Sequence, residues 1–315
     1  MTDAPILVGG EALYDLVARA DGSLSGHPGG GPFNTARTIG RLRRPVAYLG
    51  RLSTDRLGAT QERMLLEDGV DLTALQRTDD PSTLALASLD EDGAASYAFY
   101  AAGTAAPGLT PAAALASLPA EVAALHVGTL GLVLEPLATA LQAVVARLAG
   151  RTMVVVDPNC RPWVIDAPGV YRARLERVMR MSDLVKVSEE DLAWLDPRRS
   201  APEAARELLA LGPKVVLLTR GAAGATIVSP RGDTPVAPVA VDVVDTIGAG
   251  DAFSGGFLAW WSSHALGAGD LTREDLVFEA AQFAAVVAAR TVAVAGASPP
   301  AIARVAPQPL DVRSL

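Results

Sequence analysis

The amino-acid sequence predicts an α/β fold: a mostly parallel central sheet flanked by helices, with a small β-sheet standing apart from it. Three observations predict this. Short apolar runs without polar alternation (Ile6 to Val8, Val122 to Val127, Met153 to Asp157, Leu184 to Val187 and Val215 to Thr219) have the length and composition of strands buried on both faces. Helical stretches lie between them at Glu135 to Leu148, Tyr171 to Met181 and Ala201 to Leu211, the alternation of a parallel sheet. Two hairpin patterns, at residues 12 to 26 and 83 to 100, break that alternation and predict a small sheet placed to cover a site as a lid.

Taken in order, Ile6-Leu7-Val8 ends at Gly9-Gly10, as a buried strand does where backbones approach closely. Ala12 to Ala18 and Leu24 to Gly26 pair across Asp21-Gly22, a hairpin signal. Gly29-Gly30-Gly31-Pro32 then feeds a helix from Phe33 to Leu42, with proline in its first turn. Val46 to Gly50 reads as strand, Gly58 to Asp68 as helix, and Thr83 to Leu89 with Ala95 to Tyr100 as a hairpin across Asp92-Gly93. The apolar run from Val241 predicts a further strand ending at Asp245, followed by a tight turn and a helix starting near Asp251. Gly248 to Ala265 and Leu271 to Ala295 are helical, and the Pro-rich tail from Pro299 is peripheral. With no internal repeat and no low-complexity linker, residues 1–315 read as one domain with an appendage.

Composition narrows the function. Half of the 315 residues are hydrophobic and the formal net charge is −8, which speaks against a nucleic-acid or anionic-membrane binder. The arginines at 37, 41, 43 and 44 therefore read as a solvated helix face. Cys160 has no internal partner and no Cys/His spacing resembles a zinc site, so the framework suits the reducing cytoplasm. Met1 to Pro5 lacks the basic start of a signal peptide, and the charge-poor stretch from Ala252 to Gly269 is broken by Gly, Ser and His, unlike a bilayer span. His27, His126 and His264 form neither a triad nor a ligand set, and Trp260-Trp261 suits core packing. Only two lysines occur, Lys186 and Lys214, beside 25 arginines, a bias that base composition accounts for.

The most informative segment runs from Val241 through Asp245-Thr246-Ile247-Gly248-Ala249-Gly250-Asp251 to Phe257. Small residues at a helix start leave successive backbone N–H groups pointing into open space, an anion site that suits an incoming phosphoryl group. The Asp251 carboxylate then stands beside it, ionised at neutral pH and able to take a proton from a hydroxyl under attack. Phosphoryl transfer has a loose transition state, so the Gly248 to Gly250 amides contribute more than the base. A plain strand-to-helix turn with Asp251 as N-cap is the other reading of the same residues.

That stretch resembles the C-terminal signature Asp-Thr-x-Gly-Ala-Gly-Asp of the ribokinase and fructokinase superfamily, the PfkB-type carbohydrate kinases, and the resemblance runs from about residue 5 to about residue 302. It implies a ribokinase-like three-layer sandwich in a single kinase domain, with a lid at about 12–26 and 83–104. Gly29-Gly30-Gly31-Pro32-Phe33-Asn34-Thr35-Ala36 is similar to the N-terminal signature Gly-Gly-x-x-x-Asn-x-Ala; Gly30 and Asn34 then meet sugar hydroxyls through backbone and amide. Gly10-Glu11-Ala12-Leu13-Tyr14-Asp15 resembles the fructokinase opening and makes Asp15 a hydroxyl acceptor, with Glu11 less clearly placed. Asp157-Pro158-Asn159-Cys160-Arg161 resembles the Asp-x-Asn-x-Arg block, which puts Asn159 and Arg161 at the cleft; Arg161 is either a substrate contact or a structural ion pair. Thr219-Arg220-Gly221-Ala222-Ala223-Gly224 is similar to the nucleotide-side turn, implying Ser188, Thr219, Gly221 and Gly224 for ATP. There is no P-loop and no dinucleotide fingerprint, so an oxidoreductase is not implied.

The resemblance further implies ATP with Mg²⁺, and K⁺ as an additional cation beside the anion hole, held by Asp245, Ile247 and the Gly296-Ala297-Ser298 loop. Two departures matter. The Asn-x-x-Glu element reads Ser188-Glu189-Glu190-Asp191, leaving Asp191 or Glu190 to act on Mg²⁺ through water. A lid segment that usually bears Arg and Asp has Ala101 and Ala106 instead, which loosens fructose specificity. The expectation is a cytoplasmic, homodimeric, fructokinase-like sugar kinase without nucleic-acid or membrane partners. A ribokinase, 2-keto-3-deoxygluconate kinase or nucleoside kinase remains the alternative, and a non-catalytic sugar or nucleotide sensor is the alternative of another class.

Overall fold

The computed structural model describes residues 4–18, 22–89 and 95–304. Its first strand, β1 (Ile6–Gly9), is enclosed on both faces, as an unbroken apolar run requires. The chain then leaves for β2 (Leu13–Ala18) and β3 (Leu24–Gly29), and returns through helix α1 (Gly31–Arg41) to β4 (Val46–Leu49). After β5 (Arg51–Ser53), α2 (Arg56–Glu67) and β6 (Gln76–Thr78), a second excursion makes β7 (Leu84–Leu89) and β8 (Ala95–Tyr100). Helix α2 starts at Arg56, ahead of the predicted Gly58, because Asp55 caps it by accepting from the N–H groups of Leu57 and Gly58 at 2.9 and 2.8 Å.

From there helices and strands alternate: α3 (Pro111–Ala116), β9 (Ala124–Gly128), α4 (Leu137–Leu148), β10 (Met153–Asp157), α5 (Pro168–Met179) and β11 (Leu184–Ser188). Next come α6 (Glu189–Leu195), α7 (Ala201–Leu211), β12 (Val215–Thr219) and a hairpin of β13 (Ala225–Ser229) and β14 (Gly232–Val236). Two long helices, α8 (Ala249–Ser263) and α9 (Glu274–Val292), complete the layer on one side.

The central sheet has eight strands in the order β14-β13-β12-β11-β10-β9-β1-β4. Pairing is parallel from β12 to β4, and the β13–β14 hairpin adds an antiparallel edge. Alternate residues of each strand feed two cores. Ile6, Val8, Val155 and Leu217 pack with Phe33, Phe253, Phe257 and Ala280 from α1, α8 and α9. Leu7, Val127, Val154 and Val216 pack with Leu141, Leu175 and Ala205 from α4, α5 and α7. Each such fully buried aliphatic side chain contributes about 1.5–3 kcal/mol, so the two faces together hold the sheet between its helix layers. This is the expected α/β ribokinase-like sandwich.

The small sheet is also present, with strand order β3-β2-β7-β8, and it joins the two predicted hairpins through the parallel pair β2–β7. The predicted turn positions Asp21 and Asp92-Gly93 lie outside the described residues.

The structure corrects one element. Val241 to Asp245 is not a strand but an irregular segment, with Val243 and Val244 each 61% exposed. The edge this run would have joined is already taken by β14, an addition the apolar pattern did not reveal. The segment is tied instead to the end of α9, where the N–H groups of Val244 and Asp245 both donate to the Val292 carbonyl at 2.8 and 3.1 Å.

Candidate active site

Parallel strands deliver their C-terminal ends to one rim of the sheet, where open α/β folds bind ligands. At that rim stand Glu11 just after β1, Thr129 after β9, Asp157 at the end of β10, Ser188 at the end of β11 and Thr219 at the end of β12. The first turns of α1 and α8 reach the same place. Gly248 caps α8 without a side chain, in a left-handed conformation at φ 77° that favours glycine. Ala249 turns its N–H back to the Thr246 carbonyl at 3.3 Å, whereas the N–H groups of Gly248, Gly250 and Asp251 find no acceptor among the described residues. Ala249 is therefore removed from the predicted set of amide donors, and Asp251 joins it.

Asp251 is buried in the first turn of α8 and does not cap its own helix. Its Oδ2 accepts from Asn34 Nδ2 on α1 at 2.9 Å, across 217 positions of sequence. Among the described residues Oδ1 has no protein donor, and it faces Gly31, where an added Cβ would come within 3.2 Å of it. Burial pushes the Asp251 carboxyl up to about 6; the Asn34 hydrogen bond, Lys186 and Arg161 pull it back, and Asp157 adds to the rise. The result is a carboxylate held at one oxygen by Asn34, with no donor to the other among the described residues.

The glycine run that precedes α1 is shaped by its neighbours. A Cβ on Gly29 would lie 2.1 Å from Asp15 Oδ2, one on Gly30 2.6 Å from the Glu11 carbonyl, and one on Gly31 2.4 Å from Thr129 Cγ2. Only bare backbone passes between these groups. Burial raises Asp15 to about 6, with Arg161 and His27 pulling it down. Asp15 and Asp251 thus flank the glycine run at Gly29 and Gly31, with Asn34 bonded to Asp251. Arg161 makes no ion pair among the described residues; its guanidinium folds onto its own loop, donating to Asn159 Oδ1 at 2.6 Å, and its charge is felt at Asp15, Asp157 and Asp251.

The remaining expected positions divide into engaged and open groups. Ser188 is closed off: its hydroxyl donates to Asp191 Oδ2 at 2.8 Å and accepts from the Asp191 N–H at 3.0 Å, a capping box that starts α6. Asp191 is equally engaged, since Oδ1 accepts from the Cys160 N–H at 2.6 Å and Oδ2 also takes the Ser188 N–H at 3.0 Å. Gly224 serves the turn before β13, where a Cβ would strike the Val236 carbonyl at 2.3 Å, while Gly221 is open, with nothing within 4 Å of an added Cβ. Thr219 pairs in register with Ser188 beside that opening.

A profile of the pfkB family of carbohydrate kinases matches residues 3–304. The chain belongs to the pfkB family. It is 36% identical over 258 residues to a fructokinase of Rhizobium leguminosarum bv. trifolii, covering 81% of this chain and 78% of that one. A fructokinase of Xylella fastidiosa with bound ATP superimposes with a TM-score of 0.86 at 26% identity, covering 97% of each chain. An engineered double mutant of the Vibrio cholerae O395 fructokinase, holding fructose, ADP and a potassium ion, superimposes with a TM-score of 0.80 at 28% identity over 93% of this chain and 94% of that one. This pfkB protein is accordingly an ATP-dependent carbohydrate kinase.

Against the cations that such kinases hold, the loop expected to take a monovalent ion is assembled. Asp245 accepts from the N–H groups of Ile247 and Gly296, each at 2.9 Å, and Ser298 closes the turn onto the Gly296 carbonyl at 2.8 Å. Both Asp245 carboxylate oxygens are thus engaged by backbone N–H groups, one from each side of the turn. Of the two carboxylates offered for Mg²⁺, Asp191 is occupied by its cap and Glu190 stands exposed on the first turn of α6. No helix among the described residues is long and apolar enough to cross a membrane.

Two groups of the rim, Glu11 and Asp157, stood in the sequence motifs without a settled role, and a third, Lys186, stood outside them. Glu11 is enclosed and takes the Gly131 N–H at 2.7 Å, the Gly31 N–H at 3.3 Å and the Thr129 hydroxyl, so it ties β1 to the start of α1; burial raises it to about 7. Asp157 and Lys186 form a buried pair at 2.9 Å. The available signal was a lysine inside the apolar strand Leu-Val-Lys-Val, in a chain that has only two.

Proposed function

We propose that the chain transfers the γ-phosphoryl group of ATP to a primary hydroxyl of a sugar, fructose first. The observation that carries this is the Asp251 carboxylate, fixed by Asn34 at one oxygen, with no donor to the other and three neighbouring backbone N–H groups without acceptors among the described residues. The acceptor hydroxyl gives its proton to Oδ1 of Asp251. Its oxygen forms the new bond to the γ-phosphorus as the bond to the β-bridging oxygen breaks, and ADP leaves with that electron pair. The N–H groups of Gly248, Gly250 and Asp251 face the charge of the migrating group; by analogy with acyl-transfer sites each is worth about 3 kcal/mol in the transition state.

Asp15, Gly30 and Asn34 hold the sugar hydroxyls, Arg161 and Asn159 border them, and Thr219 with Gly221 receives the nucleotide. Glu190 would act through water on Mg²⁺, which would supply positive charge against the ATP phosphates. K⁺ on Asp245, Ile247 and Ser298 steadies the turn before α8. The small sheet shields the hollow from water, and its Phe99 meets Trp163 near the Arg161 loop, the ring centroids 6.3 Å apart. Leu24 and Tyr100, 62% and 55% exposed on that sheet, support pairing of two chains through their lids. A lone buried thiol supports a cytoplasmic setting.

The test is ADP release by the purified protein with ATP, Mg²⁺ and a panel of sugars and nucleosides. Turnover of fructose or a related sugar is the expected result. Turnover of nucleosides alone replaces the acceptor, and ATP binding without turnover of any acceptor sinks the catalytic reading in favour of a sensor.

A further inference from the structure

Lys186 is 4% exposed on β11, on the sheet face that carries α1 and α8. Its Nζ donates to Asp157 Oδ2 at 2.9 Å, and among the described residues it has no other acceptor for its remaining protons. Directly above it is the second glycine of the turn: an ideal Cβ on Gly250 would lie 2.7 Å from Nζ, and no other atom but Lys186 Cε lies within 4 Å of that position. Gly250 is not in a left-handed conformation, so alanine there meets no backbone strain and would favour the helix by about 0.8–1.0 kcal/mol. The space is kept for the ammonium group.

Stability does not explain the pair. Replacing a buried ion pair by apolar residues of similar size is often neutral or stabilising, and Val185 and Val187 show that this strand is otherwise built that way. Asp157 moreover keeps Oδ1 enclosed without a partner among the described residues, while Ser254 Oγ reaches Oδ2 at 3.3 Å. The pair lies under the amides that face the migrating phosphate.

We propose that Lys186, held by Asp157, is a positioning residue of the phosphoryl-transfer centre: from below, its ammonium group seats the glycine turn that carries Asp251. This rests on the function proposed above. The charged groups around Asp251 are Glu11 from the end of β1, Asp157 from β10, Lys186 from β11 and Arg161 from the following loop; Asn34 meets it from α1 without charge. His126, on the same face, is kept neutral, its imidazole pushed down to about 3 by burial and then by Lys186. Lys186 favours the ionised form of Asp251 and Asp157 opposes it, so the two arms of the pair act in opposite directions.

The experiment begins with wild-type turnover of sugar and ATP, whose absence defeats the proposed function before any variant is made. With turnover established, Lys186→Met lowers kcat by about 10²-fold, leaves the sugar KM within about threefold, and moves the acid limb of the kcat/KM profile to higher pH. Asp157→Asn moves that limb to lower pH. A lower Tm with wild-type kcat and an unmoved limb shows a merely structural pair and overturns the proposal. If Lys186→Met does not fold, Gly250→Ala decides, because it keeps both side chains of the pair and pushes only the ammonium group from its place under the turn. A loss of kcat of at least about tenfold at wild-type Tm supports the proposal, and wild-type kcat overturns it.

Discussion

Helices α6 and α8 both carry an aspartate as the third residue of the first turn, and both aspartates are buried, 5% exposed at Asp191 and 7% at Asp251. Their fates differ because their caps differ. Before α6, Ser188 offers a hydroxyl and an N–H, and Asp191 folds back to take both. Before α8, Gly248 has no side chain and its φ of 77° turns the backbone away, so Asp251 reaches across to Asn34 instead. One helix start is sealed by its own side chains. The other keeps its amides and one carboxylate oxygen without partners among the described residues, and in the proposed function it is the omission of a cap that makes the anion site.

The largest expected effect breaks this comparison at its centre. Asp251→Asn lowers kcat by about 10²- to 10⁴-fold while the sugar KM changes little, as steady-state kinetics will show; equal loss of binding and rate would make Asp251 structural like Asp191. Next in size is pH. Asp251 and Asp15 both stand at about 6, above the ordinary carboxylate range, and each is needed ionised. Activity therefore rises with pH through that value: log kcat/KM falls with a slope approaching two below it, about a hundredfold per pH unit, and Asp15→Asn reduces the slope to one.

Gly248→Ser remakes α8 in the image of α6. It introduces a side chain at positive φ, 2.8 Å from the Ala297 Cβ, and supplies a hydroxyl to close the turn. A loss of at least about tenfold in kcat is expected, with about 1–3 kcal/mol of stability lost by thermal unfolding. Wild-type rate with a filled cap would refute the role of the open amides. The smallest effect belongs to the sealed helix: Ser188→Ala removes one cap, costs about 1 kcal/mol in stability, and changes kcat by less than about threefold. A large rise in the ATP KM would instead return Ser188 to the nucleotide site.

How far these roles were readable varied with the distance over which they are decided. The ends of β10, β12 and α7 follow from apolar runs and cap residues, which act within a few positions. The run from Val241 misled, because whether an apolar stretch becomes a strand depends on a free sheet edge, and β14 had taken it. Asp191 and Asp251 look alike in their local sequences as acids near a helix start, and only the cap residue before each, serine or glycine, foretold the difference. Lys186 carried a signal in being a charge inside an apolar strand, yet nothing near it in sequence names Asp157 as its partner.

The order of residues alone determined the alternation of strands and helices, the two hairpins of the lid, and the glycine turn with its acid, since these follow from periodicity, turn chemistry and short-range sterics. Tertiary structure decided that Asn34 holds Asp251, that Asp157 and Lys186 lie beneath Gly250, and that Ser188 is closed while Gly248 is open. Those contacts depend on which strands become neighbours in the sheet and how closely two helices approach over it. Burial then strengthens each charge by removing water from around it.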